Sequence, residues 1–225
     1  MDAGHREQRI YLHRYSALQR VNHWIVAILF VLLTLSGLAL FYPGLFWLAG
    51  FFGGGEAVRA LHPWFGVLLT IFFALLAVQF IRHNIPNRDD VRWTLNLHRV
   101  MQNSHDNLPD LGKYNAGQKS VYWSQALLIP LLFVTGLSVW QRYFGHIVPI
   151  QIQRVALLVH ALGAALAITV IIVHIYAGIW VKGTARAMTR GSVTGGWAYI
   201  HHRRWLKDSL AAGTARLQST LHGEE

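Results

Sequence analysis

Thirteen histidines and no cysteine set the chemistry open to this 225-residue chain. Without thiols there is no disulfide framework, no thiolate zinc or iron–sulfur site, and no Cys-x-x-Cys-His for covalent haem attachment. A metal would have to be held by His, Met or carboxylates. Four histidines, His23, His62, His160 and His174, fall at or inside long apolar runs. An ionisable ring in such a run is costly, and ligation of a metal by neutral imidazole removes that cost. His160 and His174 are 14 residues apart. That spacing is about 1,400° of helical rotation and about 21 Å of rise, so on one helix they share a face at two depths. His5, His13, His98, His105, His146, His201, His202 and His222 read as loop or tail residues, and His83 as the end of an apolar run.

The elements that must position these rings follow from composition. The chain is 53% hydrophobic and 13% charged, with mean hydropathy +0.32. Soluble domains average about 25% charged residues. The balance excludes disorder and argues against a soluble globular protein. Four apolar stretches, at about 24–41, 64–81, 122–140 and 155–181, lack interior Lys, Arg, Asp and Glu. Each is about the length that crosses a 30 Å hydrocarbon core as a helix. Trp24, Trp64, Trp123, Trp140, Tyr143 and Trp180 lie near the ends, as an interfacial aromatic belt requires. Residues 1–22 carry four arginines and no short apolar run, so they do not read as a cleaved leader. The expectation is an all-α, integral membrane four-helix bundle spanning 1–225 as a single domain.

Charge then sets direction. Lys and Arg number 17 in the N-terminal segment, the 82–121 loop and the 182–225 tail, against three elsewhere: Arg59, Arg142 and Arg154. The N-terminus, the loop and the tail are therefore expected in the cytoplasm. The net charge of +10 is explained by this topology, and no nucleic-acid binding is inferred. With that direction, His62 opens span two at its outer end, just before Pro63, a residue tolerated in a helix's first turn. His160 on span four is also near the outer face. His23 and His174 are near the inner face. Two histidine pairs at two depths suit two stacked haems, each iron taking two axial imidazoles. A closed zinc site would instead want four ligands at one point. An internal echo accompanies the pairing: Ser36-Gly37-Leu38 precedes His62, and Thr135-Gly136-Leu137 precedes His160. Glycine there suits either the approach of a flat macrocycle or close helix packing.

The chain resembles the cytochrome b (gamma) subunit of membrane-bound respiratory formate dehydrogenase, a di-haem cytochrome b membrane anchor. The resemblance runs through Val21-Asn22-His23-Trp24, Leu61-His62-Pro63, His83-Asn84-Ile85-Pro86 and the run from Gly112 to Lys119, GKYNAGQK. It continues through Leu158-Val159-His160, His174-Ile175-Tyr176, Trp180-Val181-Lys182-Gly183 and His201-His202-Arg203-Arg204-Trp205. Four helices with four histidines also occur in cytochrome b subunits of nickel–iron hydrogenases. The GKYNAGQK, WVKG and HHxRW elements favour formate dehydrogenase.

The resemblance implies two haems b, the outer ligated by His62 and His160 and the inner by His23 and His174. It implies partners: an iron–sulfur subunit on the periplasmic side and a molybdenum or tungsten catalytic subunit that oxidises formate. It implies that menaquinone or ubiquinone is reduced near the inner haem, with Asn115 and Gly117 forming its pocket and His174 beside it. The site has no catalytic residue in the formate reaction itself. The expected setting is the bacterial cytoplasmic membrane, with lipid around the bundle and a possible higher oligomer of the complex. Read from residues alone, Asn115-Ala116-Gly117 is equally ordinary turn chemistry. The alternatives are the equivalent subunit of a hydrogenase or other outward-facing dehydrogenase, and a haem-free membrane anchor.

Overall fold

Each apolar stretch becomes a helix that starts earlier than its apolar residues do. In the computed structural model, which describes residues 7–102 and 108–220, the four long helices are α1 (Ala17–Phe41), α2 (Gly55–Asn84), α5 (Ala116–Val139) and α7 (Ile150–Trp180). His5, His105 and His222 lie outside the described residues. The extra turns come from caps that hydropathy does not register. Ser16 Oγ accepts from Gln19 N at 3.2 Å while Gln19 Oε1 accepts from Ser16 N at 3.0 Å, a reciprocal capping box at the start of α1. Asn115 and Gln118 make the same box at the start of α5, at 2.9 and 3.1 Å. Because α2 begins at Gly55, Pro63 is inside the helix rather than in its first turn, and the carbonyl of Arg59 loses its helical donor there. All four helices are long and apolar enough to cross a membrane, and only 17–22% of their most apolar windows is buried within the chain.

Between them, a 3-10 helix (Pro43–Phe52) links α1 to α2, and α3 (Arg88–Leu95), α4 (Leu97–Met101) and α6 (Gln141–Phe144) are short. The tail folds as α8 (Thr184–Arg190), α9 (Gly195–His201) and α10 (Arg203–Ala211). Strands β1 (Glu7–His13), β2 (Ser192–Thr194) and β3 (Ala215–Thr220) complete the element list.

Two compact units result. The helical unit comprises Val21–Ile81 and Val121–Ile175. Leu29, Leu69, Phe73 and Ile129 form its buried cluster. Polar side chains tie its helices: Asn22 Nδ2 donates to Phe72 O at 3.2 Å, Tyr122 Oη to Ala77 O at 2.9 Å, and Gln125 Nε2 to Ala167 O at 3.3 Å. Such bonds average about 0.6 kcal/mol in a membrane, so they set register more than stability. Trp64, Trp140 and Tyr143 pack edge to face, with centroids 4.8–6.4 Å apart.

The second unit comprises the described parts of 1–20, 82–120 and 176–225. It contains an antiparallel sheet, order β2-β1-β3, with Leu12 opposite Val193 on one side and Ala215 on the other. Leu12 and Val193 are buried. Gly191, at φ 79°, accepts from both Arg14 N and Tyr15 N, and a Cβ there would stand 2.7 Å from Tyr15 O. His202, in the tail between α9 and α10, is buried: it is 1% exposed, and its Nδ1–H donates to Gly112 O at 2.7 Å. Trp205 N donates to Leu111 O, so the GKYNAGQK and HHxRW motifs meet.

Candidate functional site

The helical unit brings the four membrane histidines together as two pairs. His62 on α2 faces His160 on α7 with ring centroids 6.3 Å apart and ring planes at 71°. His23 on α1 faces His174 on α7, also at 6.3 Å, with planes at 56°. An imidazole nitrogen bonds a metal at about 2.0 Å and lies about 1.1 Å from its ring centroid, so the centroids of two imidazoles on opposite sides of one ion would sit roughly 6.2 Å apart. Both gaps therefore have room for one hexacoordinate iron. Among the described residues no three His, Asp or Glu side chains converge on a point. Each pair would thus supply two imidazoles to one bound group and no further donor. That donor set fits a macrocycle that brings its own four nitrogens, and it does not fit a closed zinc site.

The serine and threonine of the sequence echo have a defined task. Ser36 Oγ is 2.7 Å from Leu32 O and 2.8 Å from His62 Nδ1. A hydroxyl has one proton, which goes to the carbonyl, so its lone pair accepts from His62 Nδ1–H. Thr135 repeats this, 2.8 Å from Leu131 O and 3.0 Å from His160 Nδ1. Both rings are thereby held as the tautomer whose Nε2 lone pair is free for a metal. Ser36 is fully buried and Thr135 nearly so. The glycines leave space for these rings: a Cβ on Gly37 would stand 3.3 Å from His62 Cε1, and one on Gly136 would stand 3.2 Å from His160 Cε1. Among the described residues no hydroxyl supports His23 in this way. His23 Nδ1 is buried without a hydrogen-bond partner. The repeat of hydroxyl–Gly–Leu ahead of His62 and of His160 was the available signal for this shell; its meaning needed the helices in contact.

Asn115 and Gly117 belong to the second unit, not to the unit holding the histidines. Asn115 is the cap of α5, and its Oδ1 is engaged by Gln118 N. Its Nδ2 is not used by that cap. Gly117 carries no positive φ. A Cβ there would stand 3.3 Å from the Trp93 ring, so its small size serves the packing of α5 on α3. Lys119, two residues on, is buried in an ion pair with Asp90 at 2.8 Å and donates to Ile85 O at 3.0 Å.

Residues 14–191 match the family described as prokaryotic cytochrome b561. The nitrate-inducible formate dehydrogenase cytochrome b556 subunit of Escherichia coli (strain K12) is 40% identical over 195 residues, 87% of this chain and 90% of that protein. A second formate dehydrogenase cytochrome b556 subunit of the same strain is 41% identical over 195 residues, 87% of this chain and 92% of its own length. That of Haemophilus influenzae is 37% identical over 219 residues, 97% and 90% of the two chains.

Proposed function

The chain belongs to the prokaryotic cytochrome b561 family, and on that premise we propose that it is the membrane cytochrome b subunit of a formate:quinone oxidoreductase complex. It takes electrons from an iron–sulfur subunit on the periplasmic side and delivers them to quinone near the cytoplasmic side. Formate is oxidised in a separate molybdenum or tungsten subunit. The relatives, each a formate dehydrogenase cytochrome b556 subunit, support this choice of complex. The carrying observation is the pair of 6.3 Å imidazole gaps on four membrane-length helices.

His62 and His160 would hold the outer haem b, and His23 and His174 the inner one. When bound, each haem supplies a reversible one-electron change at iron. The residues of this chain do the rest. Ser36 and Thr135 keep the ring protons of His62 and His160 on Nδ1 and present neutral Nε2 lone pairs. The helices α1, α2 and α7 would hold both rings of each pair in place around the bound group. Asn115 Nδ2 is the donor offered to a quinone carbonyl, with Gly117 keeping the adjacent backbone unencumbered. With the N-terminus, the 82–121 segment and the tail in the cytoplasm, as charge asymmetry supports, electrons move inward. Each unit charge moved across 100 mV costs about 2.3 kcal/mol, which the formate–quinone couple must exceed.

A dithionite-reduced minus oxidised spectrum of the purified complex, with haem quantified per chain, tests this directly. Two b haems per chain are expected. His62→Ala or His160→Ala should remove one haem, and His23→Ala or His174→Ala the other. Loss of the same haem from His62→Ala and His174→Ala would refute the pairing, and absence of visible absorption would leave a haem-free anchor. Co-purification with a hydrogenase in place of formate dehydrogenase would reassign the partner.

A further inference from the structure

The second unit contains a cavity of about 200 Å3 lined by none of the four paired histidines. Arg82 and His83 reach it from the last turn of α2, and Lys113 and Tyr114 from the segment before α5. Lys119 on α5 and Arg204 on α10 close it. Four cations face two carboxylates, Asp89 and Asp90. Both carboxylates are engaged: Asp90 by Lys119 at 2.8 Å, Asp89 by Arg204 Nη1 at 2.7 Å. Neither Arg82 nor Lys113 has a carboxylate partner among the described residues.

A third uncompensated cation stands behind Lys113. Arg14 is 3% exposed, and its Nη1 is buried with no hydrogen-bond partner. Its Nη2 donates to Lys113 O. The rings of Tyr15, Tyr114, Trp197 and Trp205 surround the guanidinium at 4.9–5.6 Å. Ring faces attract a cation without neutralising it. Lys113 Nζ lies 5.4 Å over the Tyr15 ring. Burial and the neighbouring Arg14 hold the Lys113 ammonium down to about 8. Two like charges gathered this way are unfavourable unless an anion joins them. Arg204, which lines the cavity, also has donors to spare: only its Nη1 is used by Asp89. The last turn of a membrane-length helix is where lipid phosphates lie.

We propose that this cavity binds a phosphate-type oxyanion, contacted by Lys113, Arg82 and the free edge of Arg204, with Arg14 as the buried charge behind them. An anionic phospholipid headgroup and free phosphate are the two sources of that chemistry. The test uses the intact complex in nanodiscs of phosphatidylcholine alone, of phosphatidylcholine with phosphatidylglycerol, and of phosphatidylcholine with added inorganic phosphate. Each sample is briefly acetylated at pH 8 and modification at Lys113 is read by mass spectrometry, with exposed Lys182 as the internal reference.

About half of the Lys113 amine is neutral and reactive at that pH, and an adjacent anion returns it toward the ordinary value near 10.4, so acetylation should slow at least tenfold. Slowing with phosphatidylglycerol alone assigns the site to a headgroup. Slowing with phosphate as well assigns it to the oxyanion from either source. No slowing in either sample, or equal slowing at Lys182, overturns the proposal.

Discussion

Replacing Ser36 by alanine should weaken haem at one site only, and the structure says by how much. Ser36 is fully enclosed and its Oγ receives His62 Nδ1–H at 2.8 Å. Without it that N–H is buried with no acceptor, a cost of about 1–3 kcal/mol. Loss of an outer-shell partner of a ligating histidine lowers metal affinity by about 10–100-fold, which is the same range in free energy. The helix itself does not suffer. Ser36 also bonds back to Leu32 O, a contact that competes with helical geometry, and alanine is the better helix former. Haem loss in Ser36→Ala therefore reports on His62 and not on α1. Thr135→Val, close in shape, should act alike through His160. The assay is competition for haem by excess apomyoglobin, followed at the two α bands in low-temperature reduced spectra. One haem should leave 10–100-fold more readily and the other should be unchanged. Equal loss of both haems, or full retention of both, would refute the argument that hydroxyls fix these ligands.

Three further outcomes are expected. Asn115→Asp keeps the Oδ acceptor that caps α5 but has no amide donor, so reoxidation of reduced haem by a soluble quinone analogue should slow up to about tenfold with both haems retained. Asn115→Leu should add about 1 kcal/mol of lost capping, and normal reoxidation in both variants would leave Asn115 as a cap alone. His202 is held well below its ordinary pKa by burial and by Arg14, so the folded state resists its protonation while the unfolded chain takes it up near 6.5. Its unit should therefore be most stable above about pH 6.5 and lose up to about 1.4 kcal/mol per pH unit below that, and His202→Asn should flatten this slope in hydrogen exchange of the α9–α10 amides. Single cysteines at Gly50 and Thr94, in a chain with none, should be labelled from opposite sides of intact cells, and labelling of Thr94 from the periplasm would reverse the proposed electron path.

The identity of the chain as a membrane cytochrome was carried by local features. Apolar runs of sufficient length become helices because a backbone in lipid must satisfy its own hydrogen bonds, and four histidines at matching depths in such runs point to ligation where a single one would not. Charge asymmetry across the loops adds an expected direction. What one-dimensional pattern could not carry was contact between distant segments. The hydroxyls of Ser36 and Thr135 acquire meaning only when α1 meets α2 and α5 meets α7. The capping boxes that lengthen α1 and α5 lie in polar residues that a hydropathy window discards. Strand β1 stays invisible because its partners, β2 and β3, lie near the opposite end of the chain. His202 looked like a tail residue because its burial depends on Gly112, 90 positions earlier. The cation Arg14 likewise shows no unusual local context; its four surrounding rings come from three separate stretches of sequence, and only the folded chain gathers them. Periodicity and composition decide what a segment can become, whereas ligand tautomer, ring spacing and uncompensated charge are properties of pairs that only tertiary packing creates.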